Sequence, residues 1–209
     1  MAYYPIFLNL TGQPCIVIGG GAVAERKVDR LIQAGARVTL VSPTLTSKLI
    51  SVVAQGAMRH IRRAYQPGDL RGYALGFVAT ADPGVSAEVA REGRDLGVWV
   101  NAADDPSHCN FILPSLLQRG ELMVAVSSGG SSPALSRAIR EELESYFTED
   151  YTTLAEVVGE VRGELKNRCL FPGAEAWRRA LNGEVRALIK DGSREQVRNY
   201  LLKQLAVET

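Results

Sequence analysis

Residues 15–27, with the sequence CIVIGGGAVAERK, decide the fold of this chain. The first four are apolar and predict a short buried strand, and an apolar-periodic helix follows the three glycines. Gly19, Gly21 and Ala24 fit the G-x-G-x-x-A pattern of dinucleotide-binding turns. A glycine triplet also occurs in plain tight turns, but the strand before this one and the helix after it favour a bound dinucleotide.

Each position of the pattern has a physical reason. Gly19 permits the sharp turn from strand to helix, Gly21 has no side chain to block a pyrophosphate, and Ala24 allows the helix to lie close to the strand. The first turn of the helix presents N–H groups and the positive end of its dipole to the phosphates. The stretch therefore predicts a cofactor site as well as a fold.

Strands and helices alternate from this stretch to about residue 101. Further strands are predicted at residues 37–41, 58–62, 75–80 and 98–101, and the helix before the last strand opens at Asp82 and Pro83. The rhythm predicts a Rossmann-like parallel sheet with helices on both faces. Ligands of such sheets bind beyond the carboxyl ends of the strands. Those ends are residues 19–21, 42–44, 80–82 and 101–105.

The pattern changes after residue 113. An apolar segment at residues 122–127 and a helix from Pro133 to about Tyr146 come next. Beyond Asp150 the chain is predicted to be wholly helical, with stripes of Leu and Val that form a core. We expect a nucleotide-binding domain at residues 1–113, a small α/β segment at 114–149 and a helical C-terminal domain at 150–209.

Composition limits the class of partner. The 209 residues are 46% hydrophobic and 22% charged, with a formal net charge of +1. Nucleic acid is not an expected partner, because phosphate contacts need a marked basic excess. The N-terminus lacks the basic and apolar regions of a signal peptide, and no apolar run reaches the length of a membrane span. The expectation is a soluble cytoplasmic protein without a membrane partner.

The cysteines and histidines do not form the pattern of a metal site. Cys15, Cys109 and Cys169 are far apart and form no C-x-x-C pair, so neither a zinc site nor a disulfide framework is predicted. Cys15 lies in the first strand and is interpreted as a small core residue. Neither His60 nor any cysteine completes a metal-ligand spacing, so no resident metal is expected.

Five segments stand in the order typical of one family. They are Pro5-Ile6-Phe7, GGGxVAxRK at residues 19–27, Asn101-x-x-Asp104, FIxPS at residues 111–115 and MVAVSSGGxSP at residues 123–133. Together they resemble the precorrin-2 dehydrogenase family, the dehydrogenase and ferrochelatase part of sirohaem synthase. The resemblance covers roughly residues 3–147, and its most specific parts are the Arg-Lys end of the second segment and the SSGGxSP loop.

The resemblance implies a reaction, a cofactor and an assembly. Members of this family oxidise precorrin-2 to sirohydrochlorin with NAD, and some then insert ferrous iron to give sirohaem. They are homodimers, and the segment at residues 114–149 would serve in dimerisation. The expected substrate is therefore a tetrapyrrole, with ferrous iron as a second, passing substrate.

The resemblance also assigns the nucleotide contacts. They fall on Ala22 and Val23 after the glycines, and on Pro43 and Thr44 after the second strand. The general fingerprint expects Asp or Glu at the end of the second strand to bind the ribose hydroxyls, whereas this chain has Ser42. Ser42 or Thr44 would hydrogen-bond the ribose more weakly, and no carboxylate there excludes a 2′-phosphate. The choice of NAD therefore rests on the resemblance.

The family's acidic catalytic residue falls on Asp104. Dehydrogenation needs a base for the departing proton, and Asp104 follows the fifth strand on the same rim as Gly21. One carboxylate could also take protons from the pyrrole nitrogens during iron insertion. Capping of the turn before Pro106 is the alternative role for Asp104 and the expected role of Asp105. His108 could be a second acid/base group, a transient iron ligand or a solvated loop residue.

Cations and N–H donors should line the substrate site, because the tetrapyrrole carries many carboxylates. The candidates are three arginines and the backbone of one loop: Arg119, Arg137, Arg140 and residues 127–130. Each arginine could instead be an ordinary solvated residue. Ser128, which the resemblance places near the active site, could be a contact, a regulatory site or a turn residue. Arg26 and Lys27 could hold a neighbouring loop or a partner subunit.

Two other functions fit part of the pattern. A nucleotide-sensing regulatory module explains the glycine turn, but it leaves Asn101-x-x-Asp104 and the serine–glycine loop without a role. A short-chain dehydrogenase needs a Tyr-x-x-x-Lys pair, which this sequence lacks. The dehydrogenase that the resemblance implies is therefore the leading hypothesis.

Overall fold

The computed structural model describes residues 3–103, 106–190 and 193–206. The chain divides into two compact units, Met1–Leu113 and Pro114–Thr209. The predicted border at residue 149, within the second unit, stays a prediction.

The first unit contains a parallel sheet of five strands in the order β3-β2-β1-β4-β5. In chain order its elements are β1 (Pro14–Ile18), α1 (Ala22–Gln33), β2 (Arg37–Val41), α2 (Ser47–Ala54), β3 (Arg59–Ile61), β4 (Leu75–Val78), α3 (Pro83–Leu96) and β5 (Trp99–Ala102). The order reverses between β1 and β4, the point at which ligands bind in open α/β sheets. The predicted Rossmann-like architecture is confirmed.

Both faces of this sheet are buried, which explains why β1 is apolar throughout. Cys15 and Val17 pack on one face with residues of α1 and α2, among them Ala24 and Leu49. Ile16 and Ile18 lie in a second cluster on the other face, together with residues of α3. Burial raises the pKa of the Cys15 thiol to about 11, as expected for a core residue.

The helix signals of the sequence are confirmed where a cap defines them. The carboxylate of Asp82 accepts hydrogen bonds from the N–H groups of Gly84 and Val85, and Pro83 follows it as the first residue of α3. Gly97 ends α3 in the left-handed conformation, with φ +69°. β3 has three residues and is shorter than the predicted strand at 58–62.

The second unit begins with an antiparallel hairpin, of which the sequence pattern marked only the second strand, as an apolar segment at residues 122–127. Its elements are β6 (Ser115–Arg119), β7 (Leu122–Val126), α4 (Pro133–Tyr146), α5 (Asp150–Asn167), α6 (Ala174–Ala180), α7 (Gly183–Lys190) and α8 (Arg194–Ala206). The missed strand is β6, which contacts α4. Gly120, with φ +56° in the two-residue turn between the strands, is the signal that could have revealed it.

The helices α5 to α8 form a separate core, as the Leu and Val stripes predict. Val157 and Val161 of α5 are fully buried against Val197 and Leu201 of α8. Within the described ranges, no helix combines the length and apolarity that crossing a bilayer would require.

We predict that Gly93→Ala lowers the free energy of unfolding of the first unit by about 1–3 kcal/mol, the usual range for overpacking. A Cβ at this position of α3 would collide with the side chain of buried Val100 and lie 2.9 Å from the carbonyl oxygen of Val98. The measurement is urea-induced unfolding.

Gly163→Ala in α5 is the matched control, because a Cβ there meets nothing within 4 Å. It should stabilise the second unit by up to about 1 kcal/mol through helix propensity. Stabilisation by Gly93→Ala as well would contradict the close approach of α3 to β5.

Candidate active site

A cavity of about 560 Å³ opens at the carboxyl edge of the parallel sheet. The cavity is lined by the ends of β1 and β2, the loops that follow β1, β2 and β4, the connection between β3 and β4, and the first turn of α3. The lining residues are Ile18, Gly19, Gly20, Gly21, Val41, Ser42, Pro43, Thr44, Leu45, Thr46, Ala64, Tyr65, Ala79, Thr80, Asp82 and Val85. The structure thus places Gly19, Gly21, Ser42, Pro43 and Thr44, all predicted cofactor contacts, around one cavity.

The three glycines after β1 have different tasks. A Cβ on Gly19, whose φ is +119°, would collide with the carbonyl group of Ala79, and one on Gly20 would collide with the carbonyl oxygen of Thr44. A Cβ on Gly21 would meet nothing within 4 Å. Main-chain atoms of neighbouring loops thus exclude a side chain at Gly19 and Gly20. At Gly21 the protein leaves space for a side chain, so only a bound ligand would require glycine there.

The first turn of α1 is suited to bind an anion. Gly21 is the N-cap residue in extended conformation, with φ −91° and ψ −171°, and no side chain caps the helix there within the described residues. Ala22 and Val23, both predicted contacts, form the start of this turn, although they are not among the lining residues. Free N–H groups and the helix dipole at such a terminus suit a pyrophosphate.

The turn after β2 is held by its own hydrogen bonds. The Ser42 hydroxyl donates to the carbonyl oxygen of Thr44 at 2.7 Å, and the Thr46 N–H donates to the carbonyl oxygen of Gly20 at 3.1 Å. The ring nitrogen Nε2 of His60 lies 2.9 Å from the Ser42 carbonyl oxygen. Ser42 is 5% exposed, so its hydroxyl organises this turn, and its role as a ribose ligand stays a prediction.

Tyr65 also lines the cavity, although no sequence pattern pointed to it. Its hydroxyl donates to the carboxylate of Glu92 in α3, which also accepts the Leu70 N–H at 2.9 Å. Burial, followed by this hydrogen bond, raises the pKa of Tyr65. The connection from β3 to β4 is therefore anchored to α3 at Tyr65 and at Leu70, which is also fully buried. These contacts hold this wall of the cavity in place.

A second pair in the same connection supports this wall. Arg63 donates two hydrogen bonds to the Asp69 carboxylate, at 2.7 and 2.6 Å, and this contact lowers the pKa of Asp69. No motif marks Tyr65, Glu92 or this pair, because the residues meet only after the chain has folded.

The loop after β5 carries the remaining predicted residues of this unit. Asp104 and Asp105 lie outside the described residues. His108 ends a short 3₁₀ helix, Pro106–His108, and is half-buried beside the Ser107 hydroxyl. Lys27 reaches from α1 to this region, where its ammonium group donates to Oδ1 of Asn101 at 3.0 Å.

The arginines predicted to bind substrate differ in how they are engaged. Arg119 donates to the carbonyl oxygen of Phe147 at 2.8 Å and lies 3.3 Å from the Glu149 carboxylate. Arg140 pairs with glutamates on its own helix. Arg137 is exposed on α4, with no ion pair to any residue in the part of the chain that the structure describes. Arg119 therefore has a structural task, and substrate binding by Arg119 and Arg137 stays a prediction.

Ser128 is at the centre of a self-bonded loop. Its hydroxyl donates to the carbonyl oxygen of Ser132 and accepts the Ser132 N–H, both at 2.9 Å. The N–H groups of Gly129 and Ser131 are also bonded within the loop. Within residues 127–130 the loop itself engages the N–H group of Gly129, so the predicted anion nest at these residues and a substrate contact for Ser128 stay predictions.

The described residues contain no cluster of three or more side chains that could hold a metal ion. The observed cavity instead combines a helix terminus without a side-chain cap, mostly uncharged strand ends and the aromatic side chain of Tyr65. The carboxylate of Asp82, which also lines the cavity, caps α3. Such an arrangement can bind a dinucleotide and leaves the hydride chemistry to that cofactor.

Two family models match the chain. One, described as putative NAD(P)-binding, matches residues 6–115, and the other, sirohaem biosynthesis protein central, matches residues 119–146. Among curated relatives, the sirohaem synthase of Methylobacillus flagellatus is 37% identical over 99% of this chain and that of Thioalkalivibrio sulfidiphilus is 38% identical over 98%. The chain spans only 44% and 42% of the length of these two proteins.

A solved structure matches almost from end to end. SirC, described as a precorrin-2 dehydrogenase, is 30% identical, with a TM-score of 0.76 and coverage of 98% of this chain and 99% of that one. Fold and sequence are thus shared along almost the whole chain, and the chain belongs to the family that comprises precorrin-2 dehydrogenase and the corresponding part of sirohaem synthase.

Proposed function

We propose that this chain is a precorrin-2 dehydrogenase, which oxidises precorrin-2 to sirohydrochlorin with NAD as the hydride acceptor. The observation that carries the proposal is the open space at Gly21, beside a helix terminus without a side-chain cap, in a chain that matches SirC along its length. Gly21, Ala22 and Val23 would receive the pyrophosphate through main-chain N–H groups.

The strand order gives the cofactor a direction. The pyrophosphate site follows β1, in the middle of the sheet, with β2 and β3 on one side and β4 and β5 on the other. Asp104 follows β5 in the sequence. For this carboxylate to reach the substrate beside the nicotinamide ring, the nicotinamide must extend toward β5. The adenosine then extends toward the turn after β2, where Pro43, Thr44 and Tyr65 line the cavity.

The reaction removes one hydride and one proton from precorrin-2. NAD supplies the hydride acceptor when it is bound. Asp104, as general base, takes the proton, so each turnover yields sirohydrochlorin, NADH and a proton. The same carboxylate would receive pyrrole N–H protons if the chain also inserts ferrous iron, which in that case is a substrate.

The direct test is anaerobic incubation of the protein with NAD and precorrin-2. Sirohydrochlorin absorbance and NADH should grow together in equal amounts. Binding of NAD without either product would contradict the proposal and leave a nucleotide sensor. Addition of ferrous iron to sirohydrochlorin and the same protein then tests chelatase activity separately.

We predict that Gly21→Asp weakens NAD binding by about 100-fold or more without loss of stability. Asp is a good N-cap residue, but its carboxylate would meet the pyrophosphate, and like charges brought together at a binding surface cost several kcal/mol. The measurement is the Kd for NAD by titration calorimetry, together with the unfolding midpoint.

Gly173→Asp is the control, because Gly173 is likewise an extended N-cap glycine with nothing within 4 Å of a Cβ, at the start of α6. It should leave the Kd for NAD unchanged. Unaltered NAD affinity in Gly21→Asp would exclude the assigned pyrophosphate site.

We predict that Asp104→Asn lowers kcat for precorrin-2 oxidation by about 10²- to 10⁴-fold, the usual contribution of a general base. The Kd for NAD should stay within about twofold, because the carboxylate acts on the substrate. Asp105→Asn is the matched control and should retain most of the activity. Full turnover by Asp104→Asn would remove this residue from the mechanism.

We also propose that the chain forms a homodimer through the segment at residues 114–149. Leu135 and Ile139 support this, because they lie one turn apart on α4 and are 53% and 37% exposed. An exposed apolar pair on one helix face suits contact with a second copy.

The double variant Leu135→Glu/Ile139→Glu should therefore sediment as a monomer in analytical ultracentrifugation, whereas the unmodified chain sediments as a dimer. Phe171→Glu is the control, since Phe171 is 76% exposed but lies outside this segment. A dimer that survives the double variant would place the interface elsewhere.

A further inference from the structure

Two of the family segments contact each other. The Arg-Lys end of the glycine segment belongs to α1, and Asn101 of the N-x-x-D segment belongs to β5. Lys27 donates a hydrogen bond to Oδ1 of Asn101 at 3.0 Å, across 74 residues of sequence. Neither the fold class nor cofactor binding requires this contact.

The contact lies in a largely buried place. Asn101 is 7% exposed, and the Lys27 ammonium nitrogen lies 5.6 Å from the ring centre of Phe77, which is 4% exposed. Phe77 in turn meets Phe111 edge to face, with ring centres 5.6 Å apart. An ammonium group that lies over an aromatic ring and donates to a buried amide is held more firmly than an exposed lysine.

Asn101 also closes the loop that follows β5. Its Nδ2 donates to the carbonyl oxygen of Phe111 at 3.0 Å and lies 3.7 Å from Sγ of Cys109. Sγ of Cys109 accepts the Ala102 N–H and donates to the Ala102 carbonyl oxygen, both at 3.2 Å. Asn101 therefore joins the departing strand to the returning chain.

A third connection completes this closure. The Val100 N–H donates to Oδ1 of Asn110 and the Asn110 N–H donates to the carbonyl oxygen of Val100, both at 2.9 Å. The chain leaves β5 at Ala102 and returns within ten residues to the same strand. In the sequence, Asp104, the proposed base, falls between Ala102 and Asn110.

We propose that Lys27 is a positioning residue, which through Asn101 fixes the loop that carries Asp104 relative to the helix that binds the cofactor. The first turn of α1 receives the pyrophosphate, and Lys27 lies on the same helix, little more than one turn further along. The helix that would receive NAD thus also contacts the last strand before Asp104 in the sequence. The inference rests on the proposed function and assigns a role that a nucleotide site alone does not need.

The test uses Lys27→Met, which keeps the length of the side chain and removes its charge. Amide hydrogen exchange at residues 107–111 should quicken by about tenfold, the effect of losing a hydrogen bond to a charged group, while exchange in β1 stays unchanged. With precorrin-2, kcat should fall by about 10- to 100-fold, and the KM for NAD should stay within about twofold.

Lys48→Met is the matched control, because Lys48 also contacts α1, through an exposed ion pair with Asp29. It should change neither the exchange nor kcat. The double variant Lys27→Met/Asn101→Ala should lose less activity than the sum of the two single variants predicts, because both changes remove the Lys27–Asn101 hydrogen bond.

Three outcomes would overturn the inference: unchanged exchange in Lys27→Met, equal loosening in Lys48→Met, or a loosened loop with undiminished kcat. Hydrogen exchange needs no substrate, so it tests the connection even if the unmodified chain fails to oxidise precorrin-2. Failure of the unmodified chain would count against the proposed function alone.

Discussion

The close approach of three main-chain segments at the end of β1 is the constraint on which the rest of the first unit depends. Gly19 lies against the carbonyl group of Ala79 after β4, and Gly20 lies against that of Thr44 after β2. A side chain at either position would push one of these loops away. The same two contacts therefore hold neighbouring strand ends together and shape the rim of the cavity, so that fold and site have a single origin.

Local signals were sufficient to predict most of the architecture. Alternating strands and helices, the cap at Asp82 and the glycine at Gly97 each act within a few residues, and the structure has the elements that they indicate. The task of Gly20 was not predictable, because the carbonyl group that excludes a Cβ belongs to another strand's loop. Tyr65 was missed for the same reason, since its partner Glu92 lies 27 residues further along the chain.

In the second unit, charge alone was less useful for predicting which residues bind substrate. Arg119 has the residue type that a polycarboxylate substrate needs, yet main-chain carbonyl oxygens and one glutamate already engage its guanidinium group. In the serine–glycine loop, the N–H groups of Gly129, Ser131 and Ser132 are likewise bonded by the loop's own serines. The sequence shows which side chains carry charges and donors. It does not show which main-chain carbonyl oxygens will accept from them, because that depends on the folded course of the backbone.

The contact between Lys27 and Asn101 gives a physical reason for two segments to occur together in one family. A glycine turn suffices for binding a dinucleotide, so a sensor of nucleotides needs no lysine at the end of that segment. An enzyme has a further requirement, because its base must face the bound cofactor within a fraction of an ångström. A single helix would meet that requirement if it binds the pyrophosphate at its first turn and holds the loop after β5 through Lys27. The family segments would then specify the distance between cofactor and base in addition to the cofactor contacts.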